Sequence, residues 1–437
     1  MKLDGPREQR IDALVADLRQ EIGHDHVSVE LADRRAASKD WAHMSPILLE
    51  KLPATVADVV VRPTSPTGIE RAVALAHRHR IPITPRGKGT GNYGQAVPLM
   101  AGLVIDTDRC DRVLDVGDGW MSVEAGAKFV LMEQAARRSG QELAQIPSTV
   151  GSTVGGFIAG GSGGTGSIES GWNHEGFVEG LHVVPCHTDA QTQVIPREEI
   201  FPFCHAYGTT GMISEAIVRL VPQRRWTALF ASFADLDTAI EVGQQLVASR
   251  PAPRLLSIDD VGVVATLPAD PAIPRGRASL RAIIEEDTVS EVRGLVDAAG
   301  GKTEEVRPRG PAYLASISFN HVAYRAIKAR PELTHLQASG PGLTSRTDEV
   351  RAVFEETLLH LDGFKVASGP GFVSIIMTRF EGIEHLYAGI ERLAEVEVRV
   401  NDPHDWRLHR NLDQIRPVAK EFDPEGLLNP GKLPPAT

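Results

Sequence analysis

Apolar positions recur at helical spacing near the start of the chain. Ile11, Leu14, Val15, Leu18 and Ile22 fall on one face and Gly23 follows as a stop, which predicts an amphipathic helix over 10–23. A short apolar run predicts a strand at Asp58–Arg62. A helix from Thr67 to Arg80 should follow, opened by a capping box in which Thr67 and Glu70 satisfy backbone donors reciprocally. Strands are expected at Ile81–Thr84 and Leu103–Asp106. Two alternating segments come next, Val113–Val116 and Met121–Glu124, joined by a Gly-Asp-Gly turn. A helix over Phe129–Ser139 should end on Gly140 in a left-handed cap. A strand at Leu181–Val184 and a helix-like stretch, HAYGTTGMISEAIVRLVP, complete a unit that closes near Pro222. Strand and helix alternate here as in an α/β domain.

The texture then changes. Residues 228–250, 277–300 and 348–361 read as helices, with strands near Leu255–Ile258, Ala315–Phe319, Val373–Thr378 and Glu397–Val400. The expected division is therefore residues 1–222, a second α+β domain over 223–400, and a C-terminal segment, 401–437, returning to the first domain. The tail FDPEGLLNPGKLPPAT is too rich in Pro and Gly to form a helix. A length of 437 residues suits two or three domains.

Charge narrows the partners. Lys+Arg 46 against Asp+Glu 57 leaves a net charge of −11, which does not favour nucleic acid or an anionic membrane surface. No apolar run is long enough for a transmembrane helix, and the charged N-terminus lacks the apolar core of a signal peptide. Three scattered cysteines, Cys110, Cys186 and Cys204, offer neither a disulfide framework nor a CxxC site. The chain reads as cytoplasmic.

Two glycine-rich segments carry the chemistry. GTGNYG (Gly89–Gly94) matches the G-x-G-x-x-G dinucleotide fingerprint after a strand, but Pro98 and the next strand leave no room for the helix that fingerprint requires. GSGGTG (Gly161–Gly166) matches it with no strand before it. GGSGG (Gly160–Gly164) matches a nucleophile elbow with Ser162 as nucleophile, yet an elbow needs strand, turn and helix, and TGSIESG does not read as a helix. From Pro147 to Gly171, nine of 25 residues are glycine. Two such loops, far apart in sequence, suit a concavity of backbone N–H groups around a pyrophosphate, which needs no helix.

PRGKGTGNYG resembles the first FAD-pyrophosphate loop of the PCMH-type (vanillyl-alcohol oxidase) flavoproteins, and PSTVGSTVGGFIAGGSGG resembles their second. YGTTGMISEAIVRLVP is similar to the stretch that closes the FAD domain. FDPEGLLNPGKL is similar to the C-terminal motif of the glycolate oxidase subunit/D-lactate dehydrogenase branch. The resemblance implies an α+β protein: a two-subdomain FAD-binding domain and an α+β cap, the substrate domain, with an antiparallel sheet. Pro85, Arg86, Gly87, Lys88, Gly89, Thr90, Gly91 and Asn92 would cradle the pyrophosphate. Pro147, Ser148, Thr153, Gly155 and Gly156 would form a second wall, with Ile213 against the adenine and Asn429 near the flavin. Covalent members carry His where Thr90 stands, and doubly linked ones add a Cys near Thr149. No Cys lies between 147 and 171, so noncovalent FAD is expected. The metal-binding motifs H-G-D-G-N-L-H and E-H-G of related 2-hydroxyacid dehydrogenases are missing, so no metal is expected and a simple 2-hydroxy acid is in question.

Flavin chemistry of this kind oxidises an alcohol or hydroxy acid and needs a base for the hydroxyl proton. The stretch SFNHVAYRAIK reads as a strand end entering a helix, and offers Asn320, His321 and Tyr324 as catalytic candidates. Tyr313, His335, His174 with Glu175, and Arg307 are weaker ones. On a helix, His404 and His409 would diverge, as would His77 and His79, which speaks against shared metals. The expected partners are a small-molecule substrate and oxygen or another electron acceptor, with a homodimer as candidate assembly. Three other functions compete: a non-catalytic FAD-binding subunit, an NADPH-driven reductase like the related peptidoglycan-precursor enzyme, and a serine hydrolase acting through Ser162.

Overall fold

The computed structural model describes residues 6–161 and 163–435. Three sheets organise it. The first has four strands in the order Val27–Ser28, Val59–Val61, Leu103–Asp106, Ile83–Arg86, and the last three run parallel. The helix Arg7–Glu21 buries Leu14, Val15 and Leu18 in the core of this sheet, beside Ile69 and Val73 of the helix Pro66–Arg78. The expected capping box does not form. Ser65 is the N-cap, accepting from Gly68 N at 3.2 Å, because Pro66 suits the first helical position, where no N–H is needed. Glu70 instead accepts from the backbone and hydroxyl of Thr192.

The second sheet is antiparallel: Val113–Val116, Trp120–Glu124, Met212–Pro222, Val178–Val184 and Gln193–Pro196, with Gln141–Leu143 on the far end of Met212–Pro222. The stretch read as helix-like is thus an eleven-residue strand. Ala216, Val218 and Leu220 are buried at every second position, and neighbours pair on both sides. Gly140 does take the left-handed conformation after the helix Phe129–Arg138.

The third sheet has eight antiparallel strands, ordered Lys302–Arg307, Trp226–Phe233, Ala278–Glu285, Leu255–Asp259, Thr357–Val366, Gly369–Arg379, Leu333–Ser339, Arg399–Asn401. Three segments read as helices are strands in part. Residues 228–250 begin in the strand Trp226–Phe233 before the helix Leu236–Ala248. Residues 277–300 divide into Ala278–Glu285 and the helix Val289–Ala298. Residues 348–361 leave a short helix, Thr347–Arg351, for the strand Thr357–Val366. These central strands are covered on both faces, so no alternation marks them. Conversely, the expected strand Ala315–Phe319 is the end of the helix Pro311–Ala315 and a turn.

The chain returns through the helix Leu412–Phe422, and its tail bridges Leu428 to Ile83 beside the first sheet. His404 and His409 lie in a loop, not on a helix: His404 Nδ1 is 2.7 Å from Ser45 Oγ, and His409 Nε2 is 3.3 Å from Asp405. Among the described residues, no helix is long and apolar enough to cross a membrane.

Candidate cofactor and substrate cavity

The parallel strand Ile83–Arg86 ends at the first glycine loop, the end of a parallel strand where α/β sheets bind ligands. Among the described residues, the N–H groups of Gly87 to Asn92 find no acceptor in the protein. Six consecutive unpartnered donors on a cavity wall are the chemistry an anion cradle requires. Gly89 sits at φ +62°, a conformation that disfavours a side chain. A Cβ on Gly87 would meet Thr153 Oγ1 at 2.0 Å, so a side chain there would close the gap between the two loops. Thr90 Oγ1 lies 2.9 Å from Ser152 Oγ, tying the loops together. Arg86 and Lys88 turn away, to Lys39 O and Asp108 respectively.

The second glycine segment differs from expectation. It is not loop throughout: Val154–Gly160 is a helix N-capped by Thr153, and Ser167–Ser170 is a further turn of helix. The first N–H groups of Val154–Gly160 are taken by Ala127 O and Ala125 O, so this wall supplies a close, smooth surface rather than free donors. A Cβ on Gly155 would approach that of Ala125 to 2.9 Å. Ser162 lies outside the described residues. A helix, not a strand, precedes it, so the geometry of a nucleophile elbow is missing.

Both walls open on one cavity of about 1030 Å³. Pro85 to Asn92, Pro147, Ser148, Thr153, Gly155, Gly156 and Ile213 all line it, as do Asn320, His321 and Tyr324. Asn429 does not. It is buried behind the loop, where Nδ2 donates to Gln95 O and Tyr207 O at 2.9 and 2.7 Å.

The helix Asn320–Ala329 presents its first turn to the cavity. Asn320 Oδ1 accepts from Gln337 at 3.0 Å, and Tyr324 packs on Trp41 with ring centroids 5.1 Å apart. His321 Nε2 is 3.3 Å from Thr149 Oγ1, while Nδ1 is buried without a partner among the described residues. Burial, reinforced by Arg325, lowers the pKa of this imidazole. It is therefore neutral at pH 7 and able to accept a proton.

The weaker candidates separate. His174 lines the cavity, edge-on to Phe201. Glu175, Tyr313 and His335 do not line it; His335 is enclosed, and burial pushes it down to about 3. Arg307 is held by Glu305 and Asp270 and is not free for a substrate.

Sequence reasoning missed Arg399 and Arg410. Both line the cavity, and among the described residues neither guanidinium has a hydrogen bond or ion pair. Burial and the charge of Arg399 lower the pKa of Arg410. The nearby Asp405 is already engaged by Arg407 and His409. Tyr93, Tyr207 and His205 complete this end; burial takes His205 down to about 4. Only the density of basic residues in WRLHRN could have signalled Arg410.

The chain is similar to several known proteins. Residues 57–188 match the FAD binding domain family. The glycolate oxidase subunit GlcD of Bacillus subtilis is 24% identical, over 87% of this chain and 89% of that protein. A D-lactate dehydrogenase of Archaeoglobus fulgidus is 28% identical over 43% of this chain and 45% of its own length. The fold also matches a solved structure of alkyldihydroxyacetonephosphate synthase, with a TM-score of 0.75 at 16% identity, covering 99% of this chain and 86% of that one.

Proposed function

We propose, from its membership of the PCMH-type FAD-linked oxidoreductases, that this FAD-dependent enzyme oxidises a small hydroxy acid. FAD, when bound, supplies the acceptor for the hydride leaving the substrate carbon. The N–H groups of residues 87–92 would hold its pyrophosphate, with the helix Val154–Gly160 as the second wall and Ile213 at the adenine end. Thr90 cannot form the histidyl bond of covalent members, and no Cys lies between 147 and 171, so the flavin is held without a covalent link. Residues 1–222 with 401–437 form the FAD-binding body, and 223–400 the cap.

The carrying observation is that a neutral His321 and the unpaired Arg410 line the same cavity as the pyrophosphate cradle. A half-buried guanidinium without a counter-ion suits an anionic group on the substrate. His321 takes the hydroxyl proton, Asn320 and Tyr324 orient the substrate, and Arg410 with Arg399 binds its carboxylate. Relatives named for glycolate and D-lactate support this substrate class.

The test is the visible spectrum of the purified protein, before and after acid precipitation. Absorbance of a flavin, released into the supernatant by acid, is expected, as is anaerobic bleaching by glycolate or D-lactate. A colourless protein that takes up no added FAD would overturn the reading. A second reading, an FAD-binding subunit of a larger oxidase, is supported by the Bacillus relative being named as an oxidase subunit. It predicts flavin without bleaching until a partner is supplied.

A further inference from the structure

Three neighbouring strands of the eight-stranded sheet carry a cluster that the chemistry above does not use. Asp259, Arg281, His360 and Asp362 are each at most 2% exposed. They share a sheet face, since Ser257 stands opposite both Arg281 and Asp362, and Asp259 opposite His360. Arg281 Nη2 donates to Asp259 Oδ2. His360 Nδ1 is 2.6 Å from Asp259 Oδ1, and His360 Nε2 is 2.8 Å from Asp362 Oδ2. With a carboxylate at each ring nitrogen, the imidazole carries both protons, and two cations balance two anions.

The side-chain bonds that leave this cluster converge on one turn, directly or through Ser257. Arg281 Nη1 donates to Ile317 O at 2.7 Å. The hydroxyls of Ser257 and Ser318 are 2.8 Å apart, and Ser257 also donates to Asp362 Oδ1 at 2.7 Å. Phe319 N donates to Asp362 Oδ2 at 3.1 Å. Phe319 itself has φ 52° and ψ −145°, a region that non-glycine residues rarely adopt unless their surroundings impose it. The next residue, Asn320, opens the helix that carries His321 and Tyr324. Asp362 reaches the cavity wall, but both its oxygens are occupied, so it is not free to act as a base.

We infer that Arg281, Asp259, His360 and Asp362 are positioning residues: they clamp the turn Ile317–Phe319 and so aim Asn320, His321 and Tyr324 into the cavity. The inference rests on the functional reading above for the purpose of that aim, not for the clamp.

The test uses the full FAD-loaded chain with Asp362→Ala and, as a milder variant, Ser257→Ala. Hydrogen exchange read on the peptide spanning 316–325 should quicken about tenfold or more in Asp362→Ala and less in Ser257→Ala, with remote helices unchanged. A double-mutant cycle with His321→Asn then reads the aim, with D-lactate or glycolate as reductant. Asp362→Ala should slow flavin reduction about tenfold in the parent and less than about twofold in His321→Asn, with little change in the substrate Kd. Unchanged exchange in both variants, or equal slowing in both backgrounds, would overturn the inference. If Asp362→Ala does not fold, Ser257→Ala gives the same two readings. If neither acid bleaches the parent flavin, the substrate reading fails, and exchange alone decides the clamp.

Discussion

Thr149 Oγ1 and His321 Nε2 stand 3.3 Å apart, so a side chain of the glycine-rich segment touches the helix that carries the proposed base. The second glycine segment thereby meets the imidazole in the first turn of the helix Asn320–Ala329. Nδ1 is buried and has no partner among the described residues, and burial keeps the ring neutral.

His321→Asn should therefore lower the rate of anaerobic flavin reduction by roughly 10²–10⁴-fold, the usual worth of a positioned base, while flavin content stays at the level of the parent. The pH dependence has a definite sign. A base with a lowered pKa loses activity only on the acid side, so the rate should rise with pH to a plateau reached by neutrality. Stopped-flow reduction across pH 5–8 checks both points, and a variant that reduces at the parent rate would remove His321 from the chemistry.

Gly87 and Gly151 give a paired test of the cradle. A methyl at Gly87 would meet Thr153 Oγ1 at 2.0 Å, whereas one at Gly151 meets nothing within 4 Å. Gly87→Ala should weaken FAD binding about tenfold or more, through lost access to the row of N–H donors. Gly151→Ala should bind FAD as the parent does. The ratio of flavin to protein absorbance after dialysis, followed by FAD titration of the apoprotein, separates the two.

Arg410 and Arg399 should act on substrate and not on cofactor. Truncating one partner of a desolvated charge contact costs about 2 kcal/mol or more, so Arg410→Ala should raise KM for a 2-hydroxy acid roughly thirtyfold or more. FAD content should not move. A neutral alcohol, if turned over at all, should be indifferent to the change. Loss of flavin with unchanged KM would instead assign Arg410 to the pyrophosphate.

How far the sequence could lead depends on where the information lies. The first glycine loop was legible as a cavity wall because a run such as Arg86–Asn92 carries its own geometry: residues consecutive in sequence are consecutive along the wall. Asn320, His321 and Tyr324 were legible for the same local reason, one helical turn. Trp226–Phe233 and Ala278–Glu285 were not, because strands covered on both faces lose the alternation that distinguishes them from helices. Arg410 was hidden because its lack of a counter-ion depends on Asp405 being taken by Arg407 and His409. The cluster around His360 joins residues about a hundred positions apart, which only strand register brings together.

The buried charges also set a pH window for stability. Against the pull of burial, Asp362 and Asp259 raise His360 to about 9. A histidine raised above its unfolded value of about 6.5 gives stability that is full below that pH and lost as pH rises through about 9. The buried, neutral His205 and His335, lowered to about 4 and about 3, act oppositely: their stability is present above about 6.5 and lost on acidification. Over the same window the buried Lys432, lowered to about 7, gains stability as pH rises, so the His360 contribution is read as the difference between the parent and His360→Gln. That difference in unfolding free energy by urea should fall from pH 7 to 9, by at most about 1.4 kcal/mol per unit for one proton. A difference that stays constant over the window would show that His360 is not the buried cation its geometry requires.

The junction between the second and third sheets supplies the last test. Glu142, on the strand Gln141–Leu143, accepts from Trp226 Nε1 at 2.9 Å and from Arg254 Nη1 at 3.2 Å; Arg137 adds a third donor at 3.1 Å. Arg254 also donates to Leu143 O, and its own carbonyl accepts from Gly166 N. Carboxylate and guanidinium are both buried, so neither can turn to water when the other is removed. Glu142→Ala should then cost about 3–5 kcal/mol, the penalty of a stranded buried charge. Glu142→Gln keeps an acceptor for Trp226 but removes the charge, and should fall between. Thermal unfolding of the FAD-loaded chain should show Tm dropping in the order parent, Gln, Ala, by several degrees at the extreme. Glu142 is outside the cavity wall, so flavin reduction measured well below Tm should keep the parent rate. A Glu142→Ala protein with the parent Tm would mean that Glu133, 4.0 Å from Arg254, already carries the pairing.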